Sequence, residues 1–418
     1  MDRFVIRGGP PLRGSVAVSG SKNAALALIA ATLLTEEPVT LRNVARVRDV
    51  ETFTQILREL GIDSTWESEH SLAIPGGLPT SQDAPYELVR TMRASFMVLG
   101  PLVARCGRAR VSLPGGCAIG ARPVDQHLKG LEALGAKVNL SGGYVQVEAQ
   151  RLRGARIEFD VSTVNGTQNV LMAACLARGT TVLENSAIEP EVGELIDALV
   201  MMGALISGRG TSRLEIQGVD SLSGAELRVS GDRIEAGTLL IGAAITRGEA
   251  SVSGVDPDSL RCLIDVLSDI GLDLRVESDC ISIRRDGDLS PANVTTQPFP
   301  GLPTDLQAQL MALLCTVPGE SRITEAIFEN RFMHVSELRR MGADIEVSGR
   351  TATIRGVGEL SGAPVMATDL RASASLVLAG LGARGETHIN RVYHIDRGYE
   401  RIEDKLRALG GRIRREKV

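Results

Sequence analysis

The chain has 418 residues, 43% of them hydrophobic and 3% aromatic, with a formal net charge of -5. That length fills two or three domains with large cores. No basic block or aromatic-interleaved basic stripe points to nucleic acid, and no apolar run approaches the roughly 18 residues of a membrane-spanning helix.

The opening MDRFVIRGGP lacks the charged-then-apolar pattern of a signal peptide. That predicts a cytoplasmic protein with reduced thiols. The stretch SGSKNAALALIAATLL next predicts an apolar helix that begins near Lys22. Further on, LRELGID reads as a helix that stops on Gly61 and passes into a strand. The same phrase returns as LEALGAKV, LVMMGALI, LSDIGLDL, LRRMGADI and LRALGGRI, with Gly135, Gly203, Gly271, Gly342 and Gly410 in the place of Gly61. A glycine there fits a left-handed helix cap. A second phrase, a small-residue helix followed by glycine and a strand, recurs at Gly107, Gly179, Gly248, Gly319 and Gly385. TEEPVTLRN is its weaker first copy.

Each unit therefore reads as strand, helix, strand, helix, then one or two strands. Self-similarity at a fixed period defines a repeat architecture, and a period of about 70 residues is too long for the common solenoid modules. Mixed α/β units that bury helices against sheets are expected instead. Three units per domain would make two similar domains.

The six cysteines contain no CxxC pair, and only five histidines accompany them, which argues against a zinc site. Cys175, Cys262 and Cys315 fall in apolar helical patterns, Cys106 at a helix end and Cys280 in a strand, all ordinary places for a small apolar residue. Cys117 is different. It stands in LPGGCAIGARPVD, where glycines free the backbone and little is available to pack on. It is either an accident of a turn or a reactive group on a mobile loop.

The position fourteen residues before each second-phrase glycine is the start of the preceding helix. It holds Arg93, Asn165, Ile234 (directly after Asp232 and Arg233), Asp305 and Arg371, and Lys22 is its counterpart in the first repeat. Asp and Asn there are explained as caps. Lys22, Arg93, Arg233 and Arg371 are not, because cations at helix N-termini are slightly unfavourable. Helix starts and cations together suit anions, so this position predicts a cleft for phosphates or carboxylates. IDRGYER adds Arg397, FENRFMH adds Glu329 and Arg331, and GARPVDQH adds Arg122 and Asp125. No P-loop and no G-x-G-x-x-G is present.

The stretches SGSKNAAL, TMRAS, PGGCAIGARPVDQH, GDRIEAGT, PTDLQAQ, FENRFMHVSELRRMGA, ATDLRASASLVLAG and HIDRGYERIEDKLRALG resemble the enolpyruvyl transferase family, on its UDP-N-acetylglucosamine branch, along nearly the whole chain. The shikimate branch shares the six-repeat fold but lacks the cysteine loop. The resemblance implies a two-domain inside-out α/β barrel of βαβαββ-type repeats, three per domain. One domain would span 22–229 and carry the Cys117 loop; the other would combine 1–21 with 230–418, with substrates bound between them.

The resemblance also implies the reaction: the enolpyruvyl group of phosphoenolpyruvate moves to the sugar 3-hydroxyl of a uridine nucleotide sugar, phosphate leaves, and no metal or organic cofactor takes part. Lys22, Arg93, Arg122 and Arg397 match groups that bind the phosphate and carboxylate of phosphoenolpyruvate, with Arg371 a further member. Asn23 and Asp305 match residues that face the sugar. Arg122, Pro123, Val124, Asp125 and His127 match the uridine segment, and Ile327 and Arg331 match further substrate contacts. Cys117 matches the lid cysteine, a general acid that can add to the enolpyruvyl carbon and is the fosfomycin target. The catalytic set is thus Cys117, Asp305, Lys22 and Arg397. Where the family carries Ser-Val-Gly-Ala to bind the diphosphate, this chain has Thr163, Val164, Asn165 and Gly166. Another uridine nucleotide such as UMP is the alternative acceptor, and a catalytically silent nucleotide-binding relative is the alternative from another class.

Overall fold

The computed structural model describes residues 2–113 and 124–417. Cys117, Arg122 and Pro123 lie outside the described residues.

Apolar residues decide the architecture. The helix Arg233–Ile245 is buried at all of its positions, as is Gln307–Leu314, and Lys22–Ala31, Leu99–Cys106, Val164–Cys175 and Leu370–Gly382 are buried along most of their length. A helix that is apolar all round belongs inside a core. Alanines and glycines keep these helices thin, so their backbones pack closely. In the second half of the chain, Arg233–Ile245, Gln307–Leu314 and Leu370–Gly382 pack on one another; in the first half Leu99–Cys106 packs on Val164–Cys175. The more amphipathic helices, such as Arg48–Glu59 and Arg261–Asp269, bury one stripe only.

The strands form six four-stranded sheets of one pattern. In the third repeat the edge strand Arg156–Glu158 runs parallel to Thr180–Glu184, which pairs antiparallel with Leu214–Gln217, and that strand pairs antiparallel with Leu205–Ser207. The parallel pair is joined through the buried helix Val164–Cys175, a β–α–β crossover. The first five repeats close with a hairpin, and in the sixth the N-terminal strand Asp2–Arg7 supplies the partner of the last strand, so two final strands are the rule. Two edge strands are exchanged between halves of the chain. Arg13–Ala17, which precedes the first buried helix, pairs with Glu249–Ser253, and Glu226–Arg228, which precedes Arg233–Ile245, pairs with Val39–Arg42. By contacts the described residues divide into two compact units, 2–19 with 231–417 and 20–113 with 124–230. Each has its own apolar core.

The recurring glycines do what the first phrase requires. Gly61, Gly135, Gly203, Gly271, Gly342 and Gly410 all adopt φ between 87° and 106°, where a side chain is strained. The second phrase has one exception. In the fourth repeat the left-handed residue is Arg247 (φ 53°), one place before Gly248. A Cβ on Gly248 would lie 2.0 Å from the Leu12 carbonyl oxygen, so close approach, not φ, selects glycine there.

The N-terminal strand Asp2–Arg7 is an interior strand, paired on one side with Glu386–Asn390 and on the other with Ile413–Lys417. Phe4 is fully buried under it, with the Arg415 guanidinium 4.9 Å from its ring. Phe4→Ala should therefore cost about 3–5 kcal/mol, seen as an early unfolding transition in urea. A loss below about 1 kcal/mol would show that this strand is not needed to close the last sheet.

Candidate active site

The variable position of the repeats falls in the first turn of each buried helix or in the 3-10 turn that leads into it. Lys22 and Arg233 open theirs, and Asn165 and Arg371 are second. Arg93 opens the 3-10 turn Arg93–Val98 ahead of Leu99–Cys106, and Asp305 lies within the 3-10 turn Thr304–Leu306 ahead of Gln307–Leu314. Ser21, Thr163, Asp232 and Asp369 cap their helices by accepting from backbone N–H groups of the first turn. The two 3-10 starts have no side-chain cap, and they carry Arg93 and Asp305.

In the 231–417 unit the structure gathers Asp305, Arg331 and Arg371. Arg331 Nη2 donates to one carboxylate oxygen of Asp305 at 2.8 Å, and Arg371 Nη2 donates to the other at 2.9 Å. Both arginines are buried, at 5% and 4% exposure, while the Asp305 side chain keeps 27%. Burial opposes the charge of Arg371, but Asp305, Tyr399 and Asp232 outweigh it and hold the guanidinium firmly cationic. The Tyr399 ring lies 5.4 Å from that guanidinium. Burial raises the Tyr399 phenol above its usual range, and its hydroxyl meets Thr238 at 2.9 Å and accepts from Gln309 Nε2 at 3.2 Å. Gln309 Nε2 also donates to the Asp305 carbonyl at 3.0 Å. Asp305 is thus fixed through both backbone and side chain. His334, beside Arg331, is buried and pushed down to about 4 chiefly by desolvation. Ile327 lies half-buried in the loop that leads to Arg331, and Arg397 ends the 3-10 turn Val392–Arg397.

In the 20–230 unit Lys22 Nζ lies 3.5 Å from Asp49 Oδ2, both largely buried. Asn23 and Arg93 are half-buried. Val124 precedes the helix Asp125–Ala133, whose first residue, Asp125, is exposed and accepts from Gln126 Nε2 at 2.9 Å. His127 points inward. Its Nδ1 accepts from Asn169 Nδ2 at 2.9 Å, and its ring meets Phe96 edge-on at 5.2 Å. Burial, reinforced by Arg93, pushes its pKa down to about 3 against the pull of Asp125. The ring is neutral and supports the segment from within. Asn169 Oδ1 in turn accepts from the Gly100 N–H at 2.7 Å.

Thr163 Oγ1 accepts from the Gly166 N–H at 3.3 Å and caps Val164–Cys175. A Cβ on Gly166 would lie 2.4 Å from the Thr163 methyl. Of the three departures from the pattern that the resemblance implies, those at 163 and 166 are therefore one exchange: the methyl present at 166 in Ser-Val-Gly-Ala has moved to 163. Asn165 sits within the helix and is not among the positive-φ residues, so its backbone needs no glycine.

Sequence reasoning passed over Tyr399, Gln309, Asn169 and Asp49. Gln309 and Asn169 had only a partial signal: each is an amide inside a largely buried helix, where amides need partners, but Gln307 and Gln168 share that pattern. Among the described residues no group of three or more His, Cys, Asp or Glu could hold a metal ion, and no helix is long and apolar enough to cross a membrane.

Residues 6–406 match the family described as EPSP synthase (3-phosphoshikimate 1-carboxyvinyltransferase), a class of enolpyruvyl transferases. Among solved structures, the enolpyruvyl transferase NikO from Streptomyces tendae is similar, with a TM-score of 0.90 at 25% identity over 100% of this chain and 99% of that one. EPSP synthase from Acinetobacter baumannii shares the fold, at TM-score 0.79 and 19% identity over the full length of both chains. Two proteins named UDP-N-acetylglucosamine 1-carboxyvinyltransferase are much nearer in sequence. That of Nitratidesulfovibrio vulgaris strain Hildenborough is 56% identical over 417 residues, and that of Myxococcus xanthus is 55% identical over 420, each over 100% of both chains. The chain belongs to the enolpyruvyl transferase family, among the UDP-N-acetylglucosamine 1-carboxyvinyltransferases.

Two outcomes follow from this geometry. The folded pKa of His127, about 3, lies below its unfolded value of 6.5. The unfolded chain therefore binds the extra proton between those values, and this contribution to stability is complete above pH 6.5 and lost as pH falls toward 3. Urea unfolding measured from pH 7 down to 4 should lose up to about 1.4 kcal/mol per pH unit from this group, and His127→Asn should flatten that slope. Gly166→Ala should cost about 1–3 kcal/mol, because the added methyl can be relieved only by turning Thr163 out of its cap. The double change with Thr163→Ser should restore the transition; no recovery would show that the two positions are not coupled.

Proposed function

We propose that this protein transfers the enolpyruvyl group of phosphoenolpyruvate to the 3-hydroxyl of UDP-N-acetylglucosamine and releases inorganic phosphate, the first committed step of peptidoglycan precursor synthesis. Family membership supports the reading, and one geometric observation carries its chemistry: a part-exposed carboxylate, Asp305, with each oxygen held by a different buried guanidinium.

The reaction is an addition followed by an elimination. A proton goes to the methylene carbon of phosphoenolpyruvate, and the sugar oxygen bonds to the adjacent carbon, giving a tetrahedral ketal phosphate. That carbon then loses phosphate while the methyl group returns a proton, restoring the double bond. Cys117 supplies the first proton, a role suited to a thiol on a closing loop. Arg122, five residues on in the sequence, favours the thiolate in covalent addition. Asp305 takes the proton of the sugar hydroxyl, and Arg331 and Arg371 hold its carboxylate in one orientation. Lys22, Arg93, Arg122 and Arg397 bind the phosphate and carboxylate of phosphoenolpyruvate and stabilise the intermediate by preorganised charge. Asn23 faces the sugar. Arg122, Pro123, Val124, Asp125 and His127 form the uridine segment, Ile327 is a further substrate contact, and the diphosphate meets the helix start at Thr163, Val164 and Asn165, where N–H groups and helix dipole favour an anion. The reaction is cytoplasmic, in keeping with five described cysteines that are all free thiols.

The test is phosphate release from phosphoenolpyruvate, with UDP-N-acetylglucosamine and UMP as parallel acceptors. Release with the sugar nucleotide alone is expected, and Cys117→Ala and Asp305→Asn should each lower it by about 100-fold or more. Release with UMP alone would overturn the choice of acceptor. No release with either would leave the silent, nucleotide-binding relative.

A further inference from the structure

Glu325 is a fully buried carboxylate just past the strand Gly319–Thr324. Burying such a group is costly unless its lone pairs are filled, and four donors fill them. Oε1 accepts from Thr296 Oγ1 at 2.9 Å, from the Ile327 N–H at 2.8 Å and from the Phe328 N–H at 3.0 Å. Oε2 accepts from Thr304 Oγ1 at 2.8 Å. Thr304 opens the turn that holds Asp305. Ile327 and Phe328 begin the loop that runs to Arg331, and Arg331 returns to Asp305 at 2.8 Å. One acceptor-only side chain therefore ties down both arms of the Asp305–Arg331 pair.

The repeats show that the fold does not require this. The equivalent place, six residues after the second-phrase glycine, holds Asn185, Gly254 and Arg391 in the third, fourth and sixth repeats, and Asn43 is the counterpart in the first. All four adopt φ between 55° and 81°. The second repeat has Leu113. A left-handed residue is what most repeats use to leave the strand. Only the repeat that carries Asp305 replaces it with a buried carboxylate, and there φ is not positive.

We infer that Glu325 is a positioning residue for the reaction: through the Thr304 hydroxyl and the Ile327 and Phe328 amides it sets Asp305 and Arg331 in register. This rests on the reading of Asp305 as the group that handles the sugar hydroxyl.

The experiment measures kcat, KM for both substrates and thermal midpoint for Thr304→Val, Thr304→Ser, Glu325→Gln and Asp305→Asn. Thr304→Val cuts the tie at a half-buried site and remains informative even where Glu325→Gln fails to fold. It should lower kcat about tenfold, leave KM for phosphoenolpyruvate unchanged and move the midpoint by less than about 3 °C. Thr304→Ser should recover kcat to within about twofold, because it keeps the hydroxyl. Where Glu325→Gln folds, adding Thr304→Val to it should cost nothing more. Wild-type kcat in Thr304→Val, or a serine variant as impaired as the valine one, would overturn the inference. Full activity in Asp305→Asn would overturn the underlying reading of Asp305, and Glu325 would fall with it. Loss there with a normal Thr304→Val removes Glu325 alone.

Discussion

A helix buried on every face can offer chemistry only at its ends. Arg233–Ile245 and Gln307–Leu314 leave no side open, and the apolar contacts that hold them would be lost to any charge placed at mid-length. The first turn is the one place where such a helix has polar groups to spare, because its leading N–H groups lack intrahelical partners. Repeating this plan six times creates six such ends. Four are closed by a side-chain cap from Ser21, Thr163, Asp232 or Asp369. Capping fixes the turn and frees one of the next two residues to vary, and there the chain places lysine, asparagine or arginine.

The same constraint explains how so much charge survives burial. Arg331 and Arg371 are each about 95% buried, and an isolated guanidinium there would be costly. Sharing Asp305 offsets that cost for both, and Tyr399 and Asp232 add to it for Arg371. Burial drives Tyr399 and His334 toward their neutral forms. The result is a group of fixed charges whose orientation does not depend on water. Such preorganisation is what a reaction through a charged tetrahedral intermediate requires.

Much of this was legible in the sequence, for a physical reason. Left-handed caps demand glycine, so Gly61 and its five counterparts kept a countable period and revealed the repeats. Counting back from the second set of glycines led to Arg93, Asn165, Asp305 and Arg371, with Lys22 as their counterpart in the first repeat, since helix length is fixed by the core it spans. What stayed hidden was pairing across long separations. Nothing local ties Arg331 or Arg371 to Asp305, 26 and 66 residues away. Nor does local pattern exchange Arg13–Ala17 with Glu226–Arg228 between sheets, because both read as the strand expected before a helix. His127 was matched to the uridine segment by resemblance alone; only the structure turns its ring toward Asn169.

The segment 163–166 shows how a departure from a family pattern is to be weighed. Read one residue at a time, Thr163, Asn165 and Gly166 are three separate changes at a turn that the family resemblance assigns to the diphosphate. Read in space, threonine and glycine exchange one methyl, since the Thr163 methyl occupies the volume a Cβ at 166 would need. The capping hydroxyl and its bond to the Gly166 N–H remain. Asn165 adds bulk on a helical backbone that never required glycine for its conformation. Anion binding at a helix start belongs to its N–H groups and dipole, and the changes leave this helix start in place. The steric edge of the turn is what has changed, and on the proposed reading a steric edge there acts on the fit of the nucleotide, not on the transfer of the enolpyruvyl group.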